Sequence, residues 1–306
     1  MKLILTDRDL SFKNTDAELR RIKPSELKSF DGNCDVVAVA GTRALAIETQ
    51  KLKLPNLKLF QLTSAGFDGV PLEAYKEKGV AVANAGNVYG APIAETVVFG
   101  MLLMAKKLRK NPNNRHIKFT RGYSLITELS EKNVLIMGAG NIGTEVAKRL
   151  SGFDGAVDGY DPYCEDKPQY RKIFRNLNEL KSVLDKYDYI ISTLPHNEET
   201  AGVIDSSFFS KMKSSAVVIN VGRKAVFNEK DFYNALKRKQ ISGAVLDMFE
   251  LCPNPFTNPF RRLRNVVVLP GVAAISKEVK VRLDAHISKN LENLLSGNEI
   301  NNVINK

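Results

Sequence analysis

The chain has 306 residues, a length that most naturally holds two domains, and its 43% apolar and 26% charged composition contains no run near the roughly 18 apolar residues of a membrane span. Three scattered cysteines, Cys34, Cys164 and Cys252, are too few for a disulfide framework or a zinc site, so no metal is expected and a reducing cytoplasm is the expected setting. The formal charge of +11 is spread over helices and loops without a recognition motif, which argues against a nucleic-acid partner.

The N-terminal MKLILTDRD has a short apolar run followed by charges, and reads as a first strand, Leu3–Leu5, rather than a signal peptide. Further strands are expected at Val36–Ala40, Lys58–Leu62 and Val80–Ala83, separated by polar amphipathic stretches as in a parallel α/β unit. Two loops follow strand ends: Thr63-Ser64-Ala65-Gly66-Phe67-Asp68 and Asn84-Ala85-Gly86-Asn87. Each reads either as a plain glycine turn or as a ligand loop, since ligands collect at the carboxyl ends of open α/β sheets. In the first loop, successive N–H groups form a candidate anion nest. Ala91 to Lys110 is a long apolar helix pattern, with Pro92 suited to its first turn and Glu95 to its positive end. The basic run Lys106-Lys107-Leu108-Arg109-Lys110 closes it, where cations favour the C-terminal dipole. Asn111 to Arg121 is polar and irregular, a loop or arm.

The most informative stretch is Val134 to Asp161. The apolar run Val134–Met137 reads as a buried strand, and Gly138, Gly140 and Gly143 follow at G-x-G-x-x-G spacing. A helix pattern then carries Val146, Ala147 and Leu150, and a second strand, Ala156–Tyr160, ends on Asp161. Gly138 permits the tight turn, Gly140 a close approach to a pyrophosphate, and Gly143 the packing of helix on strand. Free N–H groups at the helix start would hold the phosphates, and Asp161 would accept the ribose hydroxyls and repel a 2′-phosphate, which makes the expected cofactor NAD.

The alternation continues. Strands are expected at Tyr189–Thr193, Val217–Val221, Ile241–Leu246 and Val266–Leu269, leading into Leu194-Pro195, Gly222-Arg223, Asp247 and Pro270-Gly271. Helices lie between them, such as Glu229–Lys239, and a last helix runs from Ser276 to Leu295.

These motifs together resemble the D-isomer-specific 2-hydroxyacid dehydrogenases. The resemblance rests on SAGFD at 64–68, NAGN followed by Ala94-Glu95, and ELSEKNVLIMGAGNIG at 128–143. It continues through TLPHNEETAGVI at 193–204, VVINVGR at 217–223, GAVLDMFELCP at 243–253 and NPFRRLRNVVVLPGVA at 258–273. It implies an α/β architecture of two Rossmann-like domains, parallel sheets with helices on both faces, and a cleft between them. Residues 1–98 with 276–306 would form the substrate domain and residues 99–275 the NAD-binding domain. It also implies hydride transfer between NAD(H) and a small 2-oxo or 2-hydroxy acid of the glyoxylate, hydroxypyruvate or 3-phosphoglycerate class, usually by a homodimer.

By the same resemblance, Arg223 would grip the substrate carboxylate and carbonyl oxygen, a task suited to a planar, permanently charged fork. The backbone at Ala65 and Gly66 would bind the other carboxylate oxygen. Asn141 and Ile142 would meet the pyrophosphate, Leu194, Pro195 and Thr200 the adenosine and ribose side, and Val221, Gly222 and Asp247 the nicotinamide end. Asp247 reads equally as a cap on a turn. Two positions depart from the pattern. Cys252 stands where the family carries an acid, and Gly271 where it carries the proton-donating histidine. Substitute donors are His116, His196, His286, Cys252, Lys224 and Glu250, none with a strong claim. Two functions therefore compete: an oxidoreductase with an atypical proton donor, and an NAD(H)-binding sensor that kept the fold and lost the chemistry.

Overall fold

Val36–Gly41 is buried at every position, the pattern of a strand covered on both faces. In the computed structural model, which describes residues 2–30, 34–108, 126–247 and 258–305, this run is the central strand of a five-stranded sheet. The strands are β1 (Lys2–Thr6), β2 (Ala17–Arg21), β3 (Val36–Gly41), β4 (Leu59–Leu62) and β5 (Ala81–Ala83). They run parallel in the order β2-β1-β3-β4-β5. Helices α1 (Arg43–Thr49), α2 (Leu72–Glu77) and the last helix, α8 (Lys277–Ser296), cover the sheet's faces. Side chains alternate between the faces. Leu3 and Leu5 join Leu45, Phe60 and Tyr75 on one, and Ile4 joins Leu59, Ile287 and Leu291 on the other. Each such fully buried Leu or Phe contributes roughly 1.5–3 kcal/mol relative to exposure. Polar atoms in these layers are paired. The Tyr75 hydroxyl donates to the Ala46 carbonyl at 2.7 Å, and Asn290 of α8 donates to Gln61 of β4 at 2.6 Å.

The second sheet has seven strands: β6 (Val134–Met137), β7 (Val157–Tyr160), β8 (Lys172–Phe174), β9 (Tyr189–Ser192), β10 (Val217–Asn220), β11 (Gly243–Leu246) and β12 (Val266–Val268). All pair parallel, in the order β12-β11-β10-β9-β6-β7-β8. Helices α3 (Gly90–Ala105) and α4 (Asn141–Leu150) pack together where Gly90 meets the Glu145 side chain. After the short helices α5 (Leu177–Lys181) and α6 (Ser206–Phe209), helix α7 (Glu229–Lys237) inserts Phe232 among Phe209, Phe227 and Phe260, with ring centroids 4.8 to 5.6 Å apart.

The chain divides into two compact units, Met1–Tyr89 with Ser276–Lys306, and Gly90–Ile275. The boundary expected at residue 98 falls inside helix α3, all of which belongs to the second unit. Small residues at this contact explain it: a Cβ on Gly100 would stand 3.1 Å from the Val245 side chain, and Gly243 lies against Met104. Among the described residues no helix is long and apolar enough to cross a membrane, and no three metal-ligating side chains cluster. The arm at 111–121, Cys252, Glu250 and His116 lie outside the described residues.

Candidate functional site

In the seven-stranded sheet, β6 leads to β7 on one side and, by a later crossover, to β9 on the other. Such a switch in direction opens a crevice at the carboxyl ends of the strands. The glycine turn stands there. Gly138 has φ +99°, and a Cβ on it would lie 2.7 Å from Thr193 Oγ1 and 3.2 Å from Leu194 N. Gly143 is packed harder still, since its Cβ would reach within 2.0 Å of the Gly138 carbonyl oxygen. Gly140 differs: nothing lies within 4 Å of where its Cβ would project. The N–H groups of Gly140, Asn141, Ile142 and Gly143 meet no acceptor among the described residues, while Thr144 N–H closes onto the Gly140 carbonyl at 2.9 Å. Unpaired donors, an open approach and the positive end of α4 form a cradle that fits a dinucleotide pyrophosphate.

Asp161, at the end of β7, is tied into this turn. Its Oδ2 accepts from Ala139 N–H at 3.0 Å, and its Oδ1 accepts from the N–H groups of Tyr163 at 3.0 Å and Cys164 at 3.1 Å. Lys167 holds the other side of the same residue, its ammonium 2.7 Å from the Ala139 carbonyl and 3.2 Å from Thr144 Oγ1. Burial raises the pKa of the nearby Tyr160 hydroxyl, as do the charges of Asp161 and Glu199, so that group stays protonated at neutral pH.

The floor of the crevice is backbone. The Leu194 peptide lies between Gly138 and Gly222, and a Cβ on Gly222 would meet Leu194 O at 2.9 Å and Leu194 N at 3.1 Å. Val221 and Leu194 are buried in this floor, and Pro195 is exposed beyond it. Thr200 closes the loop that follows, its hydroxyl donating to the Pro195 carbonyl at 2.7 Å and accepting from Asn197 N–H at 2.9 Å. Arg223 comes directly after Gly222, with Nη1 3.4 Å from the Gly222 carbonyl. Buried Asn220 sets this turn, accepting from Gly222 N–H at 3.1 Å and donating to the Arg223 carbonyl at 3.5 Å. Sequence reasoning passed over Asn220 and Lys167; a lone polar residue closing the apolar run VVIN was the available signal for the first.

Asp247 is 4% exposed and acts as a clamp. Its Oδ1 accepts from Val272 N–H at 2.9 Å and its Oδ2 from Ala273 N–H at 3.0 Å. The clamp fixes the turn that carries Gly271, whose φ is +72°. Of the substitute donors, Lys224 is paired with Glu229 at 3.0 Å and His196 is exposed. His286 is a third of these donors. It is half-buried in the five-stranded unit, with Nε2 3.0 Å from the Asn84 carbonyl, because α8 crosses the loop after β5.

That loop supports the other candidate loop of the five-stranded unit. Asn84 Nδ2 donates to the Ala65 carbonyl at 2.8 Å, Ala85 N–H to the Ser64 carbonyl at 3.0 Å, and Ser64 Oγ to the Gly66 carbonyl at 2.6 Å. Three successive carbonyls are thus taken, while the N–H groups of Ser64, Ala65 and Gly66 meet no acceptor among the described residues.

Residues 98–273 match the family model described as D-isomer specific 2-hydroxyacid dehydrogenase, NAD binding domain. The chain belongs to the D-isomer specific 2-hydroxyacid dehydrogenase family. Among the relatives of this NAD(P)-dependent family are a D-3-phosphoglycerate dehydrogenase of Archaeoglobus fulgidus and a glyoxylate reductase of Thermofilum pendens. The first is 30% identical over 251 residues, 82% of this chain and 47% of that protein. The second is 30% identical over 259 residues, 82% of this chain and 76% of that protein. The chain therefore spans about half the length of the phosphoglycerate dehydrogenases it matches. A solved NADPH-dependent glyoxylate/hydroxypyruvate reductase from Sinorhizobium meliloti superposes with a TM-score of 0.78 at 22% identity, covering 99% of this chain and 96% of that one, a likeness of fold.

Proposed function

We propose that this dehydrogenase-family chain is an NAD-dependent oxidoreductase of small 2-oxo or 2-hydroxy acids, of the glyoxylate, hydroxypyruvate or 3-phosphoglycerate class. The observation that carries the reading is Arg223, standing directly beyond a glycine whose backbone contacts continue to the glycine turn. Its guanidinium would hold the substrate carboxylate and stabilise charge developing on the carbonyl oxygen. The bound nicotinamide would supply or accept the hydride. Ser64, Ala65 and Gly66 are the candidate carboxylate contact of the other unit. Gly271, in the place of the family's histidine, offers no proton, so solvent, the substrate or another side chain of this chain supplies it. Losing a positioned general acid costs typically about 10²- to 10⁴-fold, which leaves room for slow turnover. Arg223→Ala is expected to lower 2-oxo acid reduction by about 10²- to 10³-fold, the scale of one lost oxyanion donor, with NADH affinity within twofold. Retained turnover in that variant, assayed by NADH oxidation, sinks the mechanism.

NAD rather than NADP is proposed from Asp161. An ionised carboxylate offers about four acceptor sites, and three are used here, which leaves one for a ribose hydroxyl. Its charge opposes a 2′-phosphate. Tighter binding of NADPH than NADH in a titration overturns this preference, which the NADPH-dependent reductase of S. meliloti, being only 22% identical, does not decide.

The second reading, an NAD(H) sensor, is favoured by Gly271 itself, a position without a side chain and with a left-handed backbone. Tight NADH binding with no turnover of any 2-oxo acid is its expected signature. A homodimer is proposed in either case.

A further inference from the structure

The five-stranded sheet has a switch point of its own. Its order β2-β1-β3-β4-β5 reverses between β1 and β3, so the carboxyl ends of these two strands flank a natural ligand crevice. Arg8 lies two residues beyond β1 at this point. Its Nε is buried and has no hydrogen-bond partner among the described residues, and no described carboxylate forms an ion pair with its guanidinium. The neighbouring acids are engaged elsewhere: Asp7 accepts from Thr42 N–H at 2.9 Å and Thr42 Oγ1 at 2.7 Å, and Asp9 pairs with Arg21 at 2.8 Å. A half-buried cation with an unpaired buried donor is costly unless an anion completes it.

Strand register places Arg8 and the anion nest of the same unit at one edge of the sheet, two strands apart. Thr6 and Gln61 flank Ala40 from opposite sides, so Arg8 and Thr63 each lie two residues beyond aligned positions. Tyr89 lies beside the nest, its hydroxyl donating to the Thr63 carbonyl, and it feels the positive charge of Arg8, which opposes the burial that raises its pKa. Arg282 approaches from α8, its Nε 3.3 Å from the Val88 carbonyl, although Glu278 on the same helix offsets its charge.

We infer that Arg8 and the Ser64–Gly66 nest form a two-point anion site, so that the substrate is a 2-oxo acid bearing a second anionic group. The nest takes the 1-carboxylate, and Arg8 takes a distal carboxylate or phosphate. This rests on the reading of the nest as the carboxylate contact in the preceding section. A monoanion such as glyoxylate fills the nest alone. A dianion reaches both points and gains a charge-assisted hydrogen bond, worth about ten- to a hundredfold in affinity.

The test is calorimetric binding to the full chain saturated with NADH, which needs no turnover. Probes are glyoxylate and pyruvate as monoanions, and two acids with a second anionic group, here grouped as dianions: 2-oxoglutarate with a distal carboxylate, and phosphohydroxypyruvate with a distal phosphate that carries up to one further charge. The wild type should bind at least one dianion about ten- to a hundredfold more tightly than the monoanions. Arg8→Gln should remove that preference and leave monoanion affinity within twofold, and Arg8→Lys should restore part of it. Which dianion leads identifies the distal group. Equal loss for both classes in Arg8→Gln, or no dianion preference in the wild type, overturns the two-point site while the oxo-acid reading stands. If no acid of either class binds, both fall, and Arg223→Ala turnover no longer has a substrate to report.

Discussion

A single methyl group separates the tasks of Gly140 and Gly143. At Gly143 it would sit 2.0 Å from a backbone oxygen and 3.0 Å from the hydroxyl of the buried Tyr170, so the turn must shift to admit it. Gly143→Ala is therefore expected to destabilise the seven-stranded unit by about 1–3 kcal/mol, the usual cost of overpacking, and to weaken NADH binding as the turn deforms. At Gly140 the same methyl meets open space, so the stability change should stay within about 1 kcal/mol, the scale of an N-cap exchange, while NADH affinity falls. Denaturant unfolding and NADH titration read the two effects separately. Unchanged NADH affinity in Gly140→Ala would mean that the phosphates do not lie over this residue. At this scale spacing was a good guide to the glycines, because each backbone demand forces one residue type. Partners were not legible. Asp161 was placed correctly at a strand end, yet the three N–H groups it accepts come from positions 139, 163 and 164, and only the folded turn brings them to it.

The turn after β12 is an element held from outside itself. Asp247, at the end of β11, takes both of its N–H groups, and Gly271 supplies the left-handed residue that lets the chain bend into the clamp. Asp247→Asn keeps one acceptor and turns an NH₂ toward the other donor, at a cost of about 1–3 kcal/mol for the group left unsatisfied. Hydrogen exchange at the Val272 and Ala273 amides should accelerate; unchanged protection would show that the clamp does not hold the turn. Gly271→His faces a different obstacle. There is space for a side chain, with only the Asp247 carbonyl oxygen 3.7 Å away, but φ +72° costs an L-residue roughly 1–2 kcal/mol. A lower melting temperature with no gain in 2-oxo acid reduction is expected, and a stable, faster variant would refute the strain argument. This obstacle was invisible in the sequence, where Gly271 read as a vacancy. The two strands that sequence patterning missed fail for a related reason. β2 is AELRR, with one buried side chain, and β8 is the three-residue KIF, so each is an edge strand whose pairing comes from its neighbour rather than from its own apolar pattern. The fully buried strands β3, β4, β6, β7, β9, β10 and β11 announced themselves.

At the scale of the molecule, helix α3 presents a surplus. One side is accounted for: Gly90 against Glu145, Gly100 against Val245, Met104 against Gly243. The other side carries Phe99, 55% exposed, between the half-buried Val98 and Leu102. Sixteen residues make a rod of about 24 Å, so a twofold pairing through α3 alone covers only part of the roughly 1,200–2,000 Å² of a stable interface. The seven-stranded unit around it must supply the remainder. In such a geometry Phe99 and its symmetry mate lie near the centre of the contact, where large aromatic side chains carry most of the binding energy. Phe99→Glu is expected to weaken the dimer by at least 2 kcal/mol, about thirtyfold, because it buries an unpaired charge at that centre. Ser64–Gly66 belong to the other unit, and glyoxylate binding to the NADH-loaded variant is expected to persist. Sedimentation equilibrium at micromolar concentration should give a dimer for the wild type and a shift toward monomer for Phe99→Glu. A wild-type monomer refutes the dimer outright, and a dimer indifferent to Phe99→Glu moves the interface to another face.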